Sequence, residues 1–82
     1  MSEQVEVKVT TSLDLKGLLC PIPVVKVSQG VKKVAVGEVV EAFATDPGVL
    51  ADIPAWCRTS GNELMKMERI DKNFRFLVRR VK

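Results

Sequence analysis

The residue whose setting most suggests chemistry is Cys20, in the run Leu18-Leu19-Cys20-Pro21-Ile22-Pro23-Val24-Val25. Proline fixes its own φ and lacks an N–H, so it suits the first turn of a helix and little of its interior. The run therefore predicts a helix start with Cys20 at or beside the N-cap, Pro21 at the first helical position and Pro23 two residues on. A helix N-terminus offers unpaired N–H groups and the positive end of the macrodipole. A thiolate there is stabilised, so its pKa is expected to fall below the free value of about 8.5. Pro21 and Pro23 stiffen the backbone and hold the sulfur in one place. Cys20 is thus read as a reactive nucleophile. The alternative, a buried structural thiol, is common for free cysteine but fits poorly with a place just before two prolines.

The second thiol, Cys57, reads the other way. It falls on an apolar stripe with Leu50 and Ile53, where packing is the simpler role and a resolving thiol the alternative. The chain has no histidine. That removes Cys-His and Ser-His-Asp catalysis, and two cysteines alone are a poor ligand set for a metal. Neither a metal nor an organic cofactor is expected. The two cysteines do not form a C-x-x-C pair, which weakens a thiol-redox reading, and one disulfide is permitted but not required.

The elements that must position Cys20 follow from length and periodicity. Eighty-two residues make one domain, spanning 1–82, with no room for a second core. Hydrophobic residues make up 46% and charged residues 28%, an ordinary globular balance. The longest apolar run, Leu18 to Val25, is far short of the roughly 20 residues of a membrane helix. The N-terminus lacks a basic region followed by an apolar one, so the cytoplasm is the default location, where both cysteines would stay reduced.

Val5, Val7, Val9, Leu13 and Leu15 share one parity and predict a strand from about Val5 to Leu15, ended by Gly17. From Pro21 to Lys33 the β-branched residues favour a strand. Yet Val24, Val27, Val31 and Val34 recur at helical steps, and prolines at the start with lysines at the end favour a helix; Gly30 weakens it, and a helix over Pro21 to Lys33 is predicted. Glu38 to Thr45 reads as a second strand. Asp46 and Pro47 predict an N-cap and first-turn proline for a helix reaching Ser60, tightened or bent near Leu50 to Ile53 by Pro54 and stopped by Gly61-Asn62. Leu64 to Ile70 and Phe74 to Val81 read as strands joined by a turn at Asp71-Lys72-Asn73. The order β-α-β-α-β-β buries a core by laying two helices on one face of a four-stranded sheet.

Asp14-Leu15-Lys16-Gly17-Leu18-Leu19-Cys20-Pro21-Ile22-Pro23 resembles the signature of the TusA/SirA family of small sulfur carriers, a Cys-Pro-x-Pro after a short strand. The likeness continues through Val36-Gly37-Glu38, Asp46-Pro47, Asp52-Ile53-Pro54-x-Trp56-Cys57 and Gly61-Asn62-Glu63-Leu64. It implies an α/β (α+β) two-layer sandwich with a mixed sheet, and so a helix for the valine-rich segment. It also implies that Cys20 carries sulfane sulfur as a persulfide. The implied donor is a cysteine desulfurase or a rhodanese-like protein. The implied acceptor is DsrE-like or heterodisulfide-reductase-like, on the way to tRNA thiolation or sulfur oxidation, and a few members are linked to selenium metabolism. Leu19 and Ile22 stand where many members carry polar or charged residues. Apolar neighbours desolvate a thiolate and oppose the helix terminus, or form a docking rim.

Partner docking is expected around Leu19, Ile22, Lys16, Lys26 and Asp46, with the protein a monomer and no membrane involved. The basic residues Arg58, Lys66, Arg69, Arg75, Arg79, Arg80 and Lys82 read as a solvated face or a landing surface for acidic partners. The rival function is a nucleic-acid-binding or regulatory module using that basic end. A net charge of only +3, the absence of Tyr and the lack of paired aromatics for base stacking count against it.

Overall fold

The computed structural model describes residues 8–82. The elements are β1 (Val9–Leu15), α1 (Ile22–Lys32), β2 (Val39–Ala44), α2 (Val49–Ser60), β3 (Glu63–Ile70) and β4 (Asn73–Arg79). The expected β-α-β-α-β-β order is present. The expected start of the first strand at Val5 lies outside the described residues, and Lys8 precedes β1 rather than belonging to it. The sheet has the order β1-β2-β4-β3. β1 and β2 are parallel, joined by the α1 crossover, and the other neighbours are antiparallel, which makes the sheet mixed.

Alternation decides which side of the sheet is buried. Val40, Ala42 and Ala44 of β2 stand opposite Val78, Phe76 and Phe74 of β4. All six are buried and form the floor on which the helices lie. On the other face Arg75 bridges Glu41 at 2.6 Å and Glu68 at 2.8 Å. Such cross-strand charge pairs suit a face turned to water.

The valine-rich segment is a helix, and Gly30 explains how it packs. Val27, Gly30 and Val31 are buried on its inner side. A Cβ on Gly30 would stand 2.9 Å from Leu13 Cδ1, so the missing side chain lets α1 approach β1 closely. Pro21 is the N-cap rather than the first helical residue, and Pro23 occupies the first turn, fully buried.

In α2 the buried stripe is Val49, Ile53 and Cys57, with Trp56 partly buried beside them. Leu50, expected on that stripe, is 47% exposed. The buried stripe runs at four-residue steps through Val49, and Leu50, about 100° further round the helix, falls at its outer edge. Pro54 stays inside the helix, and separately the chain enters it through a tight turn in which Leu50 and Ala51 N–H donate to the Pro47 and Gly48 carbonyls. Gly61, at φ 82°, closes the helix in the left-handed conformation and donates its N–H to the Cys57 carbonyl.

Candidate functional site

Parallel pairing builds the site. The last pair of the β1–β2 register is Leu15 with Ala44, so both strands end side by side. The turns that follow, residues 16–21 and 45–48, are therefore neighbours. Such strand ends are where open α/β sheets gather functional groups. Gly17, at φ 85°, turns the chain after β1 and donates its N–H to Thr45 Oγ1 at 2.9 Å. Leu18 packs against the core while Leu19 is 72% exposed, and Cys20 comes next, partly buried. The Cys20–Pro21 peptide bond is cis.

Asp46 ties the two turns together. Its Oδ2 accepts the Cys20 N–H at 2.7 Å, and its Oδ1 accepts the Gly48 N–H at 3.1 Å. This corrects its expected role. Gly48 is the N-cap of α2, and Asp46, two residues earlier, clamps the thiol-bearing turn instead. The Cys20 side chain then lies against Gly48. A Cβ built on Gly48 would be 3.1 Å from Cys20 Sγ, so the sulfur rests on the bare backbone at the head of α2.

The thiol pKa goes up, not down. Burial raises it first, the Asp52 side chain next and the Asp46 side chain with it, to about 12. No helix N–H acts to lower it in turn. Ile22 N–H donates to the Leu19 carbonyl, Pro23 has no N–H, and Val25 N–H donates to the Pro21 carbonyl. Asp46 itself is held below the usual carboxylate range, chiefly by the N–H groups of Cys20 and Gly48. At neutral pH the thiol is protonated.

Of the residues expected near the thiol, Asp46 is brought to it. Leu19 and Ile22 flank it in sequence with large exposed areas, 72% and 44%. Lys16 is occupied by Asp14, at 3.9 Å. Lys26 lies along a groove between α1 and β1. Neither lysine is among the groups acting on the thiol. Two residues that sequence reasoning missed are Gly48 and Asp52. The signal was the stretch Asp46-Pro47-Gly48 with Asp52 one helical turn further, but its relevance to Cys20 depends on the parallel β1–β2 pairing.

Cys57 is a free thiol 3% exposed in the core, its pKa pushed up to about 11 by burial alone. Several basic residues of the C-terminal half are tied to partners within the fold. Arg75 is held by Glu41 and Glu68, Arg79 by Glu63 at 2.8 Å, and Lys66 by Glu68 at 3.5 Å. Arg80 donates to the Val34 carbonyl at 2.6 Å. No helix among the described residues is long and apolar enough to cross a membrane.

The comparisons agree with this architecture. The family model for sulfurtransferase TusA matches residues 11–80. A protein of Allochromatium vinosum named sulfur carrier protein TusA is 35% identical over 68 residues, covering 83% of this chain and 90% of that protein. A provisionally named sulfur carrier protein of Aquifex aeolicus is 46% identical over 65 residues, covering 79% of this chain. This chain spans only 33% of that relative's length and 40% of a similarly named Bacillus subtilis protein. The crystal structure of a SirA-like protein from Desulfitobacterium hafniense superposes with a TM-score of 0.75 at 16% identity, covering 88% of this chain and 99% of that one, which shows a shared fold. The match runs through both turns of the site and all six elements, and the chain belongs to the TusA sulfurtransferase family.

Proposed function

We propose that this protein is a sulfur carrier that receives sulfane sulfur on Cys20 as a persulfide and hands it to a thiol of another protein. The observation that carries the reading is the placement of Cys20: a free, partly exposed thiol on a turn clamped by Asp46, between exposed Leu19 and Ile22. In the first step the Cys20 thiolate attacks the outer sulfur of a donor persulfide R–S–SH. The bond from Cys20 Sγ to that sulfur forms, the donor S–S bond breaks, and the donor leaves as R–S⁻. In the second, an acceptor thiolate attacks the outer sulfur of Cys20–S–SH, and Cys20 leaves as thiolate. One sulfur atom moves in each step and the overall oxidation level is unchanged, as in thiol–disulfide exchange. No metal or organic cofactor takes part.

The free protein keeps Cys20 protonated, so the thiol must ionise when a partner is bound. Exposed Leu19 and Ile22 would be covered on docking, and a positive group from the partner set beside Asp46 and Asp52 would cancel the charges that hold the proton on. Donor and acceptor proteins of the desulfurase, rhodanese, DsrE or heterodisulfide-reductase type fit this scheme.

The experiment is to incubate the protein with a persulfide donor and weigh it. One added sulfur on the wild type, retained in Cys57→Ser and absent in Cys20→Ser, is expected. Equal loading of Cys20→Ser would overturn the assignment. The nucleic-acid reading is disfavoured by the internal pairing of Arg75 and Arg79.

A further inference from the structure

A second surface lies beside the sulfur site and is separate from it. A groove of about 560 Å³ runs between β1 and α1. β1 is an edge strand of the sheet, with β2 its pairing partner among the described residues. Leu13 and Leu15 point to the helix side of the sheet and Asp14 to the other, yet all three line this groove. Residues of both faces can line one groove only if it opens along the strand's edge. The backbone N–H and C=O groups of β1 that turn away from β2 therefore face it, and unpaired edge groups are a template for another strand.

The chemistry of the walls selects the occupant. Leu13, Leu18 and Val34 make an apolar base. Gly30, by admitting Leu13 against the helix backbone, keeps α1 and β1 close enough for one chain to touch both. The α1 wall carries Lys26, Gln29 and Lys33 in the groove. At 1.5 Å per residue the two lysines stand about 10 Å apart along the helix, roughly three residues of an extended chain. Neither lysine takes part in an ion pair among the described residues. The one acid in the groove, Asp14, accepts the Lys16 N–H at 3.1 Å and pairs with its ammonium.

We propose that this groove binds an extended acidic segment of a partner protein, which adds to the free edge of β1 with its carboxylates on Lys26 and Lys33 and an apolar side chain on Leu13 and Leu18. Strand addition beside a helix draws affinity from main-chain hydrogen bonds and specificity from alternate side chains. A small anion would use the lysines and leave the strand edge empty. An extended chain uses both. The groove reaches Leu18, two residues before Cys20, so a segment bound here would tether a partner next to the thiol without touching it. The proposal does not depend on persulfide chemistry.

The test uses the full chain, isotope-labelled for NMR, and an eight-residue peptide alternating glutamate with valine. Amide shifts are expected at Thr10 to Leu15 and along Lys26 to Val34, unchanged in Cys20→Ser. Lys26→Glu with Lys33→Glu should weaken binding about tenfold or more while leaving the circular dichroism spectrum unaltered. Peptides N-methylated on alternate residues separate strand addition from contact by side chains alone: one of the two methylation registers should abolish binding. Equal binding of a lysine–valine peptide, indifference to the double charge reversal, or equal tolerance of both registers would overturn the proposal. Displacement of the peptide by millimolar sulfate would assign the groove to a free anion. The same shifts appearing on concentration of the protein alone would assign it to a second copy. Either result overturns it.

Discussion

The two cysteines share a side chain and little else. Cys20 stands on a turn at the sheet's carboxyl end, with Asp46 and Asp52 beside its sulfur and exposed Leu19 before it. Cys57 lies inside α2, facing the sheet, 3% exposed. Both thiols titrate high, Cys20 at about 12 and Cys57 at about 11. A high pKa alone would call both inert. The causes separate them. Cys57 is held neutral by burial, which only unfolding relieves. Cys20 is held neutral first by burial as well, and then by Asp52 and Asp46, which a docked partner can neutralise. The first is a property of the core and the second of an interface.

The largest effect that would break this contrast is access. Cys57 can react only when the core opens, and global opening at a stability of several kcal/mol protects it by about a thousandfold or more. Alkylation of Cys57 should therefore accelerate with sub-denaturing urea along the unfolding free energy, whereas Cys20 should be insensitive to it. Mass mapping of the labelled peptides reads both rates at once. Two thiols that respond equally to urea would erase the distinction.

The next effect is electrostatic. Asp52→Asn removes a charge beside Cys20 while leaving the Asp46 clamp in place. Each pKa unit lost multiplies the thiolate fraction at pH 8 by ten, offset in part by the weaker nucleophilicity of a less basic thiolate. A rise of about threefold to tenfold in Cys20 alkylation at pH 8 is expected, with Cys57 unchanged. An unaltered Cys20 pH profile would show that Asp52 does not hold the proton on. A third and smaller effect is on stability at high pH. A thiol whose pKa is raised on folding contributes stability that is present below its unfolded value, 9.0, and is lost as pH climbs through the folded value. Wild type should lose stability from pH 9 upward, and Cys57→Ala should remove the part lost between 9 and about 11. Urea midpoints at pH 8, 10 and 11 measure the difference in slope, since lysine ionisation is common to both proteins.

Much of this was legible in the chain itself, for physical reasons that differ from part to part. Alternation in Phe74, Phe76 and Val78 placed β4, because a half-buried strand repeats every two residues. The valine-rich α1 was ambiguous, since β-branched residues favour strands and the helical spacing favours a helix. Packing of Val27 and Val31 on the sheet decided it, with Gly30 serving contact rather than weakness. Leu50 was misplaced because a three-residue step to Ile53 and a four-residue step from Val49 both fit the helical period, and packing buries Val49. At the site, Cys20 and its prolines were visible in one short run. Its pKa was expected in the wrong direction, because burial at the site and two carboxylates 26 and 32 positions away in sequence raise it, and the sulfur meets them only through the parallel pairing of β1 with β2.

Gly48 gives the smallest and sharpest test of that meeting. Its backbone, φ −57° and ψ −24°, is ordinary right-handed helix, which alanine adopts without strain. Nothing in the conformation requires glycine there, so the requirement must come from space. A Cβ would lie 3.1 Å from Cys20 Sγ and 3.5 Å from Asp46 Oδ1, closer to the sulfur than packed atoms ordinarily approach. In Gly48→Ala the sulfur must move by a few tenths of an ångström, away from the head of α2. Surface substitutions of this kind change stability by about 0.5 kcal/mol or less, so the melting temperature should hold within a few degrees. Persulfide loading of Cys20 should nonetheless slow several-fold, and the Cys20 alkylation profile should shift in pH while Cys57 labelling stays the same. Slower loading with unchanged folding means that α2 positions the sulfur. Loading and alkylation indistinguishable from wild type would mean that the sulfur has room to spare, and that Cys20 is presented by its own turn without help from the second helix.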